Sequence, residues 1–107
     1  MATYANTSYV AKNVGTSPSS LITVPSGTIA IASLVVSNTA ASPITTSVYF
    51  TRSAVDYYLV KGATVPVGGS LEVIQGNRVV LIASDTLKVV NSAAASGDCV
   101  VSALTAT

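Results

Sequence analysis

The sequence predicts an all-β protein, a single β-sandwich of jelly-roll or immunoglobulin-like kind with about eight or nine short strands and an extended amino-terminal arm. Three observations carry this. Hydropathy alternates with a period of two along most of the chain, as a half-buried strand requires. Turn-forming Gly, Pro, Asn, Asp and Ser residues interrupt the apolar runs at short intervals. No segment carries a long helical period; Ala93-Ala94-Ala95 is the nearest approach, hemmed in by Ser92 and Gly97. With 107 residues one domain is expected. A chain this size buries roughly 65% of its unfolded surface, enough for one modest core.

The elements follow in order. Residues 1–19 read as an arm with room for one strand, because they hold little apolar material beyond Tyr4, Tyr9, Val10 and Val14. Such an arm either frays or docks on a neighbouring subunit, with Tyr4 and Tyr9 as its anchors. The β-sandwich domain is expected over 20–107. Strands are predicted over 7–14, 20–24, 28–37, 45–51, 57–61, 71–75, 78–83, 86–91 and 98–105. Val24-Pro25-Ser26-Gly27 suits a type I turn, Pro presetting φ at its second position. Ile29–Val36 is apolar on both faces, which predicts a central strand covered on two sides, and Arg78–Ala83 reads the same way. In Thr45–Thr51 one face presents Thr46, Val48 and Phe50, the other Thr45, Ser47, Tyr49 and Thr51. Arg52–Asp56 links two paired strands, and Gly68-Gly69, Gln75-Gly76-Asn77, Ala83-Ser84-Asp85 and Ser96-Gly97-Asp98 complete the turns. Tyr57-Tyr58 opens a strand with its rings on opposite faces, so one is expected in the core and the other at the surface or an interface.

Composition excludes several functions. Five Lys+Arg and four Asp+Glu make only 8% of the chain, against about 25% in an ordinary soluble domain. A net charge of +1 makes no footprint for nucleic acid or an anionic membrane. No His is present, so acid/base catalysis near neutral pH loses its usual agent and a His metal site is impossible. Hydroxyl nucleophiles lack a His base, and Lys12, Lys61 and Lys88 show no Ser-x-x-Lys spacing. No Asp-rich loop offers the converging oxygens of a calcium site, and Gly68-Gly69-Ser70 is followed by no Lys, as a phosphate loop requires. The expectation is no enzyme, no cofactor, no metal, no nucleic acid and no membrane.

Cys99, the single cysteine, rules out an intramolecular disulfide and lies in an apolar run that predicts burial. The opening residues have neither a basic nor an apolar signal region, which predicts synthesis in a cytosol. What remains is the surface, with 15 Ser and 13 Thr and few charges. Long uncharged strand edges invite edge-to-edge association, and Arg52, Lys61 and Lys88 are too few to guard them all. Burial in a permanent many-copy assembly resolves this.

Several phrases resemble those of small β-sandwich virion structural proteins of tailed bacteriophages, including phages of cyanobacteria. They are Leu21-Ile22-Thr23-Val24-Pro25-Ser26-Gly27-Thr28-Ile29-Ala30, then Asn38-Thr39, Tyr58-Leu59-Val60-Lys61 and Val65-Pro66-Val67-Gly68-Gly69-Ser70-Leu71-Glu72. Val79 to Val89 and Asp98 to Leu104 follow, with Ser84 where the family more often has Gly. The resemblance spans about residues 20–105 and implies a virion component made in the host cytoplasm and carried in many copies, without catalytic residues. A capsid decoration (cement) protein is the leading expectation, with copies of itself as a dimer or trimer and the major capsid protein as partners. A neck, tail or fibre position is the alternative. The expected interface residues are Tyr4, Tyr9, Tyr57 and Tyr58. From another class, a carbohydrate-binding adhesion module would use Tyr57, Tyr58 or Tyr49 as a stacking platform.

Overall fold

The alternating β-branched runs become strands in the computed structural model, which describes residues 4–74 and 79–106. Nine strands succeed one another: β1 (Tyr4–Val14), β2 (Ser19–Thr23), β3 (Thr28–Asn38), β4 (Ile44–Arg52), β5 (Val55–Val65), β6 (Ser70–Glu72), β7 (Val79–Ile82), β8 (Thr86–Asn91) and β9 (Gly97–Ala106). They form two antiparallel sheets. The first runs β1-β9-β3, with β6 and β7 lying end to end along the far edge of β3; the second runs β2-β8-β4-β5.

If β6 and β7 are counted as one interrupted strand, the pairing is nested: first with last, second with next to last, inward to the β4–β5 hairpin. That is a rolled-up antiparallel ribbon, the topology of a jelly roll. The expected sandwich is therefore present, in its jelly-roll form. Ile31, Leu34, Leu81, Leu87, Val89 and Val101 meet between the sheets with no exposed surface.

Three expectations need correction. The amino-terminal segment is not an arm apart from the domain: from Tyr4 to Ala11 it pairs residue by residue with Ala106 to Cys99 of its own chain. An alternating pattern in which Val14 is the first fully buried residue concealed an edge strand. Ile29–Val36 is covered on one side only. Ile29, Ile31, Leu34 and Val36 turn inward, and a register shift at Ala32 keeps them in phase, while Ala30, Ser33 and Val35 face out. β7 behaves alike, with Leu81 inward and Val80 and Ile82 exposed. Apolar residues on both alternations thus mark an apolar outer face, not a second covering layer. No helical turn forms at Ala93–Ala95. The predicted Gln75-Gly76-Asn77 turn, Gln75 at the end of one predicted strand and Arg78 at the start of the next lie outside the described residues.

Each end of the sandwich is closed by polar groups. At one end Asp85, with a side chain 1% exposed, receives Arg52 Nε at 2.9 Å and Arg52 Nη2 at 2.6 Å, and also the Ile82 N–H at 2.9 Å. Its backbone carbonyl accepts from Val24 N–H, and Ser84 N–H donates to the Val24 carbonyl. This corner is where the chain crosses from β7 in one sheet to β8 in the other. At the opposite end the buried Asn38 amide donates to the carbonyls of Ser42 and Val65 and accepts from Ala40 N–H. Ser96 Oγ donates to Ala93 and Val14 carbonyls there, and Asn91 reaches the Val14 carbonyl. Gly97 sits in the same knot; a Cβ on it would lie 2.7 Å from both Ser37 O and Asn91 Nδ2.

Both locks can be tested by substitution. The Arg52 hydrogen bonds, helped by the Ile82 N–H, hold the Asp85 carboxyl below its ordinary value against the opposing effect of burial. Its contribution is complete above the unfolded-state pKa of about 3.9 and disappears as pH falls through the lower folded value. Thermal melts from pH 7 to pH 2 should therefore drop steeply below about pH 4, less steeply in Asp85→Asn. At neutral pH Arg52→Ala should lower the melting temperature, because it leaves the buried Asp85 carboxylate without its cation. Gly97→Ala should cost about 1–3 kcal/mol by overpacking, read as a lower denaturation midpoint at unchanged slope.

Candidate functional site

The four carboxylates of this chain do not converge. Asp85 is held by Arg52 at the corner; Asp98 accepts from the Asn13 N–H at 3.0 Å and meets Lys12 Nζ at 3.4 Å. Glu72 accepts from the Leu34 N–H at 3.0 Å, beside the β3 bulge, and Asp56 receives the Thr51 hydroxyl at 2.7 Å. Each position has a structural use in shaping a turn or an edge. Among the described residues no three His, Cys, Asp or Glu side chains lie close enough to hold a metal ion.

The four tyrosines singled out from the sequence do not gather. Tyr4 is exposed at the start of β1 and faces outward, opposite Ala106. Tyr9 turns inward and packs against the core. Tyr57 and Tyr58 do point to opposite faces, but neither enters the core: they are 48% and 45% exposed. They stand on β5, the edge strand of its sheet. Their partners lie across the ladder. Tyr57 stacks on Phe50 with centroids 5.3 Å apart, and Tyr58 tilts against Tyr49 at 4.9 Å. Lys61 Nζ sits 4.9 Å from the Tyr58 ring centre and Arg52 lies over Phe50 at 5.2 Å. Tyr49 is thereby covered, and burial raises its phenol pKa. It offers no free platform for a sugar ring.

The larger feature is one the tyrosines only touch. Among the described residues ten large apolar side chains are exposed, and six of them, Tyr4, Val10, Val80, Ile82, Val100 and Leu104, lie on the first sheet. The registers align their outward positions in rows across the strands. Val10, Val100 and Val35 form one row; Ser8, Ser102 and Ser33 the next. Asn6, Leu104, Ala30 and Val80 form a third, and Tyr4, Ala106, Thr28 and Ile82 a fourth. Two apolar ridges, the first and third rows, therefore flank a trough of small hydroxyl residues. The trough holds a shallow depression of about 400 Å³, whose lining includes Asn6, Ser8, Ala32, Ser102 and Leu104. Among the described residues the charges on this face are Lys12, Asp98 and Glu72, all near the Asn38 end.

Sequence reasoning passed over this surface. Its signal was present, because Val10, Val80, Val100 and Leu104 occupy the alternation that should have been polar. They were indistinguishable from core residues until the sheet order showed that nothing covers them.

No protein-family model matches the chain, and no curated relative matches its sequence. In fold it is similar to a chain from a structure of Bacillus endospore appendages, described as a novel family of disulfide-linked pili. The TM-score is 0.57 at 14% identity, covering 97% of this chain and 87% of that one. The likeness supports the β-sandwich architecture.

Cys99 lies wholly between the sheets, opposite Ala11 and Val36, and burial pushes its thiol pKa up to about 12. The thiolate is the reactive form. A thiol reagent at pH 8 should therefore label the native protein only at the rate of unfolding, and stoichiometrically in denaturant. Rapid native labelling would contradict the placement of β9.

Proposed function

We propose that this chain is a non-enzymatic structural subunit that works as one of many copies in an assembly. The observation that carries this is the outer face of the first sheet, a ridged surface four strands wide with its few charges at one end. Contiguous apolar surface of that kind marks an interaction site on a soluble protein. The carboxylates, each engaged in holding a turn or an edge, leave no constellation for chemistry.

The phage-like phrases support a finer reading, a decoration protein on the outside of a tailed-phage head with the major capsid protein as its partner. A decoration protein binds the assembled shell and not its unfolded subunits, so it stabilises the shell by mass action. The jelly-roll topology is compatible with this, being widespread among viral capsid and lectin domains, though a fold alone assigns no function. The likeness to a pilus favours a second arrangement, a filament. In that arrangement subunits of this chain would have to join without an intermolecular disulfide, because its one cysteine is sealed in the core.

Light scattering on the purified protein should show a mass above 10.7 kDa at micromolar concentration; a monomer at every concentration argues against self-association. Quantitative mass spectrometry of purified particles should give hundreds of copies for a head protein, but six to a few dozen for a neck or tail component. Filaments of the isolated protein under the electron microscope, with no particle association, would replace the decoration reading with the filament.

A further inference from the structure

We propose that the outer face of the β1-β9-β3-β7 sheet is the surface through which two copies of this chain pack face to face. This rests on the many-copy reading above and specifies which surface carries it.

The occupant is argued from size, charge and shape. β1 and β3 each have 11 residues, so at about 3.4 Å per residue the face is about 37 Å long. Four strands at about 4.8 Å spacing make it about 19 Å wide. Because β6 and β7 supply only three and four residues of the fourth position, the area is about 650 Å², which approaches the roughly 800 Å² that each partner contributes to a standard stable interface. A patch of this extent on a 107-residue chain needs a broad, flat, equally apolar cover, which a second copy supplies.

Charge points the same way. In a twofold contact every residue meets the same surface of its partner, so any charge near the axis faces its own like. The middle of this face is the Ser8, Ser102 and Ser33 row, which is neutral. Lys12 and Asp98 lie toward one end as a pair of opposite sign, and the Glu72 carboxylate is already held by the Leu34 N–H.

Shape is the third argument. Sheets that pack face to face interdigitate side chains from their two facing surfaces. With the serine row at the axis, the Val10–Val100–Val35 ridge of one copy meets the Leu104–Val80 ridge of the other, apolar side chains against apolar. A surface carrying its own complement suits a copy of itself better than an unrelated partner. The serine hydroxyls at the bottom of the trough can satisfy one another across the axis.

The test is analytical ultracentrifugation of the full chain over a range of concentrations. Ser102→Arg places two guanidinium groups against each other at the axis, and Val100→Arg sets a guanidinium group against the partner's apolar ridge. Tyr58→Arg, on the edge of the other sheet, is the control. Wild type should sediment as a dimer, at twice 10.7 kDa. Each of the two face substitutions should raise the dissociation constant at least 30-fold, while the control leaves it unchanged. All three sites are solvent-facing, so circular dichroism should keep its β signature; if one face variant fails to fold, the other carries the test. Association unchanged in both face variants overturns this face while leaving the many-copy reading intact. Equal dissociation by Tyr58→Arg moves the interface to β5 and also overturns it. A monomeric wild type overturns the proposal outright, and particle copy number then judges the many-copy reading separately.

Discussion

The carboxylate of Asp85 fixes the corner on which both sheets depend. Burying an ion without partners is prohibitive, so the surrounding chain has to bring donors to it. Arg52 comes from the end of β4, the Ile82 N–H from the end of β7, and the backbone of Val24 from just beyond β2. One buried group therefore sets where three strands stop and where the chain passes between sheets. The other three carboxylates act similarly at smaller scale: Asp98 organises the Asn13 kink, Glu72 the β3 bulge, and Asp56 the base of the hairpin. A chain whose four carboxylates are all committed to corners and edges has few charges left to hydrate its flat faces. The apolar outer surface is thus the complement of the way the fold is held.

The opposite end shows why the sandwich does not need a second ion pair. Asn38, Asn91 and Ser96 satisfy the backbone carbonyls left by converging strand ends, and Gly97 allows β9 to begin in contact with Asn91 and Ser37. Between the two locks the interior is aliphatic. Nested pairing makes most of this structure non-local: β1 meets β9 across the length of the chain, and among the described residues β4–β5 is the one hairpin between sequential neighbours within a sheet. Such topologies fold slowly, because loop closure precedes the contacts that reward it. The β4–β5 hairpin is the natural local start. Its two-residue loop, Ser53-Ala54, has φ of 52° and 64°, a left-handed turn that suits strand twist despite lacking glycine.

Fold class and strand positions were legible in the sequence because period-two alternation and turn residues are local signals. The hairpin between Arg52 and Asp56 was readable as a link, yet nothing in Ser53-Ala54 announced its handedness. What the sequence withheld depends on neighbours. Ile29–Val36 is apolar on both alternations whether a second layer or a partner subunit covers it, and only the sheet order distinguishes these. Tyr57 and Tyr58 alternate as predicted, but each ring rests on a side chain of β4, Phe50 or Tyr49, and stays nearly half exposed. Tyr9 looked equivalent to Tyr4 and is not, because five residues along a strand reverse the face.

The scarcity of charge also leaves one edge less protected than the rest. β2, β6 and β7 are edges of five, three and four residues, too short to template much pairing. β5 is long, but it carries Asp56 and Lys61, a left-handed Gly62 and two register shifts against β4, all of which discourage a flat continuation. β1 has none of these over Tyr4–Ala11: eight residues in unbroken register, uncharged, with one edge open and Lys12 only at the end. That open edge borders the ridged face. The two features therefore belong to one side of the molecule, and a partner seated on the face comes within reach of β1. A face-to-face contact shielding that edge does for β1 what charge and irregularity do for β5. Low charge across the whole sequence thus reduces to an apolar, unguarded region on one side of a jelly roll whose other edges are protected by shortness, charge or irregularity.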